Sequence, residues 1–220
     1  HHISNNDFEM FMTQLIRSEK VVGPVANQNR FSFEAITSYS ELRLDYDVTV
    51  LPPKKVFMPP VQDLVKFSKN GYESCINPQK TILLGVHFYD VKGIDQIDYL
   101  MSENYPDENY LAQRRVTTIV ASNIQNVSKR AFFASVGQEA KPKGHDAFLT
   151  KIKSGYVYEV LSDKGEALLK YGKFAKATSD QVVEAQKVNA EALEKCEEKL
   201  KWSSEEISKK VRASFKKKEL

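Results

Sequence analysis

The chain has 220 residues, 41% of them hydrophobic, with ten tyrosines and twelve phenylalanines, enough apolar volume for one sizeable domain with or without a helical appendage. Its 32 basic and 29 acidic residues are intermixed and leave a formal charge of only +3, which argues against a nucleic-acid footprint of clustered Lys and Arg. No run approaches the roughly 20 apolar residues that cross a bilayer, and no charged-then-apolar leader opens the sequence, so a folded cytoplasmic protein without membrane insertion is expected.

In chain order, His1 and His2 read as the stub of a purification tag and residues 1–6 as a disordered start. That leaves 7–176 for the body and 177–220 for a helical extension. In DFEMFMTQLIRS (7–18), Phe8, Phe11, Met12, Leu15 and Ile16 fall at helical intervals and predict an amphipathic first helix. VVGPV and RFSFEAI read as short extended pieces joined by a turn at 27–29. The two proline pairs of LPPKKVFMPP forbid a central strand or a helix interior. They predict an extended or polyproline-like connection over 51–60 and then a short helix over 61–67.

TILLGV (81–86) is a continuous apolar run, as expected of a strand buried on both faces. VKGIDQIDYLM follows with Ile94, Ile97, Leu100 and Met101 at helical spacing. TTIVAS (117–122) repeats the pattern, with a helix-compatible segment after it. GYVYEVL (155–161) is a third strand, leading to a helix over 165–171. Strands alternating with helices predict an α/β domain with a mixed sheet and flanking helices. Beyond it, Thr178 with Gln181 and Ser203 with Glu206 form two capping-box patterns, which predict a C-terminal helical hairpin or one long bent helix. The basic run at 216–218 reads as a solvated tail.

In such sheets function gathers at the carboxyl ends of strands, here HFYD (87–90), NIQN (123–126) and the loop at Ser162 and Asp163. No glycine-rich phosphate loop follows a strand. Of the four histidines, His87 and His145 stand alone; His87 at a strand end is either a hydrogen-bonded structural residue or a ligand or base. Asp90 either caps the following helix or binds something. Ser135 lacks the flanking glycine of a nucleophile elbow. The two cysteines, Cys75 and Cys196, are too few for a disulfide framework or a protein-only four-cysteine cluster, and both read as inert thiols. The Asn126 glycosylation pattern carries no meaning in a cytosolic protein.

The succession VVGPV, YDVTVLPPKKVFMPP, ILLGVHFYDVKGIDQIDYL, DENYLAQRR, TTIVAS, AFFASVG, GHDAFLT and GYVYEVLSDKGEALL resembles a family of iron–sulfur electron-transfer subunits, among them the sulfhydrogenase beta subunit and the A subunit of anaerobic sulfite reductase. Members normally continue into a ferredoxin-like module of CxxCxxC type. Here the sequence stops at FKKKEL: either it is a piece that ends before that module, or the natural protein lacks it. The family pattern has cysteines where this sequence has Tyr89, Ile124, Ala131 and Phe133, so the resemblance implies four lost cluster-ligand positions and no catalytic or metal-binding residue. It implies an accessory scaffold of a redox complex whose partners are the other subunits. No cofactor is then expected in this chain, and 4Fe–4S clusters only in a missing C-terminal module or a partner subunit. Lys54, Asp90, Arg115 and Asp146 remain in register and, with His87 at its strand end, are the candidate binding residues. Arg115 and Asp90 are expected to pair, and Gly137 to form a backbone turn. The alternative is a small-molecule or nucleotide-binding domain that uses the strand-end cleft near Asp90. A third reading is a stand-alone interaction protein docking through its C-terminal helices.

Overall fold

All six residues of the apolar run at 81–86 are buried, and they form an interior strand of an eight-stranded sheet. The structure, a computed structural model, describes residues 1–135, 144–196 and 200–217. In chain order its elements are β1 (His2–Ser4), α1 (Asn5–Ser18), β2 (Val21–Asn27), β3 (Arg30–Ala35), β4 (Thr49–Leu51), β5 (Val65–Ser68), β6 (Gly71–Ser74), β7 (Thr81–Val86), α2 (Phe88–Ser102), α3 (Glu108–Val116), β8 (Thr117–Ser122), β9 (Ala147–Ile152), β10 (Gly155–Val160), the single turn α4 (Asp163–Glu166), α5 (Ser179–Glu194) and α6 (Ser204–Lys217). Short 3₁₀ turns occur at Pro53–Val56, Phe133–Ser135 and Leu169–Tyr171.

The sheet order is β1-β10-β9-β8-β7-β2-β3-β4. Strands β2, β7, β8 and β9 are mutually parallel, while β3 and β10 run against their neighbours β2 and β9. This is the mixed α/β sheet that the alternating pattern predicts. One face packs on α1, where Phe8, Phe11, Met12 and Leu15 meet Ile82, Leu84, Val120 and Tyr158. The other packs on α2 and α3, where Val91, Ile94 and Tyr110 meet Leu83, Val86, Ile119 and Ala121. Each of these large side chains contributes about 1.5–3 kcal/mol by leaving water. Both faces of β7 and β8 are covered, which is why neither strand alternates in sequence. The polar contacts of Asp98 join α2 to α3: it accepts from Tyr110 Oη at 2.6 Å and pairs with Arg114 Nε at 2.9 Å.

Four expectations need correction. Residues 1–6 are no disordered start: β1 pairs with β10, and Ser4 caps α1 by accepting from the Asp7 N–H. Residues 61–67 form no helix; instead β5 and β6 make a separate two-stranded hairpin. Gly71 at φ 127°, just past Lys69 and Asn70, lets the chain turn back there. After β8 the chain is irregular until the 3₁₀ turn at Phe133–Ser135. The helix expected over 165–171 is only α4 and a 3₁₀ turn, separated at Ala167 and Leu168. The C-terminal part does form two helices. Thr178 and Gln181 close the capping box that opens α5, and Ser203 and Glu206 make the same reciprocal bonds before α6. α5 lies over β9, with Asn189 donating to Thr150 Oγ1 and Glu184 accepting from the Lys153 N–H. The turn expected at Gly137 and the side chains of the basic run at 216–218 lie outside the described residues.

Candidate functional site

The carboxyl ends of β7 and β8 lie side by side, with Val86 in register with Ala121. A bulge between Leu84 and Val86 carries Gly85 at φ 81°, and a Cβ there would meet the Leu44 side chain at 2.7 Å. Only glycine fits this conformation and this close approach. The gap admits the segment 44–47, which crosses the strand ends. Tyr46 donates to the Gly85 carbonyl at 2.8 Å. The loop after β8 is tied to the same segment, since Gln125 donates to the Leu44 carbonyl and Asn126 to that of Asp45.

His87 occupies the N-cap of α2 and is fully buried. Its ring stacks on Tyr46 at 3.9 Å, nearly parallel. Its Nδ1 lies 2.8 Å from Tyr89 Oη, and that hydroxyl donates its one proton to the Asp47 carbonyl at 3.1 Å. His87 Nε2 has no hydrogen-bond partner among the described residues, and neither do Ser122 Oγ and Asn123 Nδ2 at the end of β8. Burial pushes the His87 ring down to about 3, so it stays neutral at ordinary pH. Burial also raises the phenols of Tyr46 and Tyr89.

Asp90 stands in the first turn of α2 without capping it, because His87 already holds the N-cap. Burial pushes its carboxyl up to about 6, against an opposing pull from Lys54. It therefore holds its proton closer to neutral pH than an ordinary carboxyl does. Lys54, from the proline-rich connection, thus comes near Asp90, although they form no ion pair within 4 Å among the described residues. Lys54, His87 and Asp90 are brought together at this end of the sheet.

Arg115 and Asp146 are not. Arg115 ends α3, which feeds the amino end of β8, and it pairs with Glu108 at 3.3 Å, so the expected pair with Asp90 does not form. Asp146 is a structural latch: its carboxylate accepts from the Ile119 N–H at 2.8 Å and from Ser162 Oγ at 2.6 Å. Its carbonyl accepts from the N–H groups of Leu161 and Ser162.

Tyr89, Ile124, Ala131 and Phe133, drawn from three separate stretches, meet in one apolar cluster beneath the C-terminal end of α5. Phe133 stacks on Tyr89 at 5.8 Å and meets Phe88 edge-on at 5.4 Å. Ala192 and Cys196 close the cluster from above, and the buried Cys196 thiol donates to the Ala131 carbonyl at 2.9 Å. A small cleft of about 190 Å³ beside it is lined by Asn123, Gln125, Glu191 and Lys195, among others. Tyr46 carried no sequence signal and acquires its place through contacts with residues far along the chain, whereas Asn123 was marked by its position in NIQN at a strand end.

Over 158 residues, 72% of this chain, the sequence is 34% identical to sulfhydrogenase 2 subunit beta of Pyrococcus furiosus. The chain is a relative of that subunit. It spans about half of the subunit's length, the aligned part covering 47% of it. No protein-family profile and no solved structure matches the chain. Among the described residues, no helix is long and apolar enough to cross a membrane, and no group of three or more His, Cys, Asp or Glu could hold a metal ion.

Proposed function

We propose that this chain is the α/β body of an accessory subunit in an anaerobic redox complex of the hydrogenase or sulfite-reductase kind. The observation that carries this reading is the 34% identity to a sulfhydrogenase beta subunit over most of the chain. Its role is geometric: it holds a ferredoxin-like module against a catalytic partner in the cytoplasm and binds no cluster in its own body. The packing of Tyr89, Ile124, Ala131 and Phe133 in one place supports this second part. A cluster needs about four thiolates, and these four side chains offer carbon and one phenol. A vacated ligand pocket left empty would cost roughly 24 cal/mol per Å³, and aromatic volume removes that cost.

The test of subunit membership is gentle anaerobic isolation of the native protein from the cells that encode it. Co-elution with a hydrogenase or sulfite reductase in fixed stoichiometry is expected; elution of the native chain alone would overturn the reading. A second reading rests on Asp90 poised near neutrality beside Lys54: a cleft for a small molecule or nucleotide. A melting temperature that rises with a nucleotide in the wild type, and not in Asp90→Asn, would favour it.

A further inference from the structure

The cleft beside the apolar cluster is built by two elements. Val188, Glu191, Ala192 and Lys195 follow one another by three or four residues along α5 and its C-cap, so they share one face of the helix. That face and Asn123, the first residue after β8, line the same space of about 190 Å³. Asn123 is only 3% exposed; its N–H donates to the Leu149 carbonyl at 3.0 Å and its Oδ1 accepts from the Lys151 N–H at 2.9 Å. These two bonds fix the amide against β9. Its Nδ2 has no partner among the described residues. A buried amide nitrogen with both N–H groups unspent calls for an acceptor.

The charges around the cleft do not cancel. Glu191 is matched by Lys187 on the same helix at 4.0 Å. Lys195 makes no ion pair within 4 Å among the described residues. The ammonium of Lys151, whose residue also lines the cleft, donates to the Asn5 side-chain oxygen and lies 4.2 Å from the Tyr156 ring centroid, so it too has no carboxylate partner there. Burial holds that ammonium below the ordinary lysine value. The rest of the lining includes the apolar Val188 and Ala192.

We propose that this cleft binds a small monocarboxylate with a short aliphatic tail, its carboxylate accepting from Asn123 Nδ2 and pairing with Lys195, its tail against Val188 and Ala192. Size sets the upper limit, since about 190 Å³ falls below the roughly 300–1,000 Å³ that holds drug-sized ligands and leaves no room for a nucleotide. Charge selects the class: two lysines without carboxylate partners favour an anion. The apolar lining favours a tail over an inorganic oxyanion, every oxygen of which would need a donor. The site is separate from the one beside Asp90, and neither depends on the other.

Titration of the isotope-labelled full chain with butyrate, followed by NMR at the Asn123 side-chain amide, tests this. Saturable shifts with a dissociation constant of about 1 mM or below are expected for a ligand of this size. Sulfate and butylamine are expected to bind about 10-fold more weakly or not at all. Asn123→Asp keeps an oxygen for the Lys151 N–H but replaces the donor with a negative charge, and is expected to weaken butyrate binding by about 10-fold or more. Lys195→Met keeps most of the side-chain length without the charge, and a loss of about 3-fold is expected. Arg17→Ala, on α1 outside the cleft, is expected to bind as wild type does. Lys195 is exposed at the helix end, so its variant carries the test even where Asn123→Asp fails to fold. No saturable shift in the millimolar range, sulfate or butylamine binding as tightly as butyrate, or unchanged affinity in Lys195→Met would each overturn the proposal.

Discussion

His87 and Asp90 begin the same helix, and burial moves them in opposite directions. Asp90, near 6 in the folded chain against an ordinary 3.8, holds its proton more tightly when folded. Its contribution to stability is complete below about 4 and lost as pH rises through about 6. His87, near 3 against an ordinary 6.5, behaves in reverse: its contribution is complete above about 6.5 and lost as pH falls toward 3. Between about 4 and 6 the two oppose each other. Asp90→Asn leaves His87 alone, so stability is expected to climb more steeply with pH across that window and to gain roughly 1–3 kcal/mol at pH 7. His87→Phe leaves Asp90 alone and turns the slope downward. Urea unfolding at stepped pH measures both, and slopes indistinguishable from wild type would sink the account. Phe133, 8% exposed and in contact with two aromatic rings, carries the neighbouring cluster. Phe133→Ala is expected to cost about 2–4 kcal/mol in the same assay, with Phe133→Leu well below that. The sequence pointed to His87 and Asp90 because a buried run ends there. It misjudged the pairing of Asp90 with Arg115, because the two residues belong to opposite ends of parallel strands and no local pattern records which end a loop reaches.

Among elements, α5 is the one whose start was plainest in the sequence, because its capping box is a local code and local codes survive without tertiary help. Thr178→Ala is expected to cost about 1 kcal/mol, measured as a drop in melting temperature. Because α5 covers the cluster through Ala192, the same variant should raise the accessibility of Cys196 to a thiol reagent. Wild-type labelling rates alongside a lowered melting temperature would show that α5 does not guard the cluster. Strands β7, β8 and β10 were legible as runs of β-branched, aliphatic and aromatic residues. The helix read over 61–67 was an error of the opposite kind: Val61, Leu64, Val65 and Phe67 suit helical spacing, but Val65 and Phe67 also suit a strand, and the tight turn at Lys69 and Asn70, followed by Gly71 at positive φ, decides for the strand. β9 went unread because its half-buried alternation is short and includes Thr150 and Lys151.

For the whole molecule, the α/β class followed from alternation alone, whereas its relatives followed from the order and spacing of segments that no single motif carries. Composition predicted neither the hairpin of β5 and β6, which stands apart from the sheet, nor the ordering of residues 2–4 at its edge, since both depend on partners supplied by the fold. The convergence of Tyr89, Ile124, Ala131 and Phe133 is likewise a property of the assembled chain, produced where the ends of β7 and β8, the following loop and the end of α5 meet. That convergence makes the central claim measurable. The most direct test is to incubate the anaerobically prepared chain with ferrous iron and sulfide, desalt it, and assay bound iron and acid-labile sulfide beside the visible spectrum. The account predicts a colourless protein with neither element above background; a brown protein holding about four irons and four sulfides per chain would contradict it.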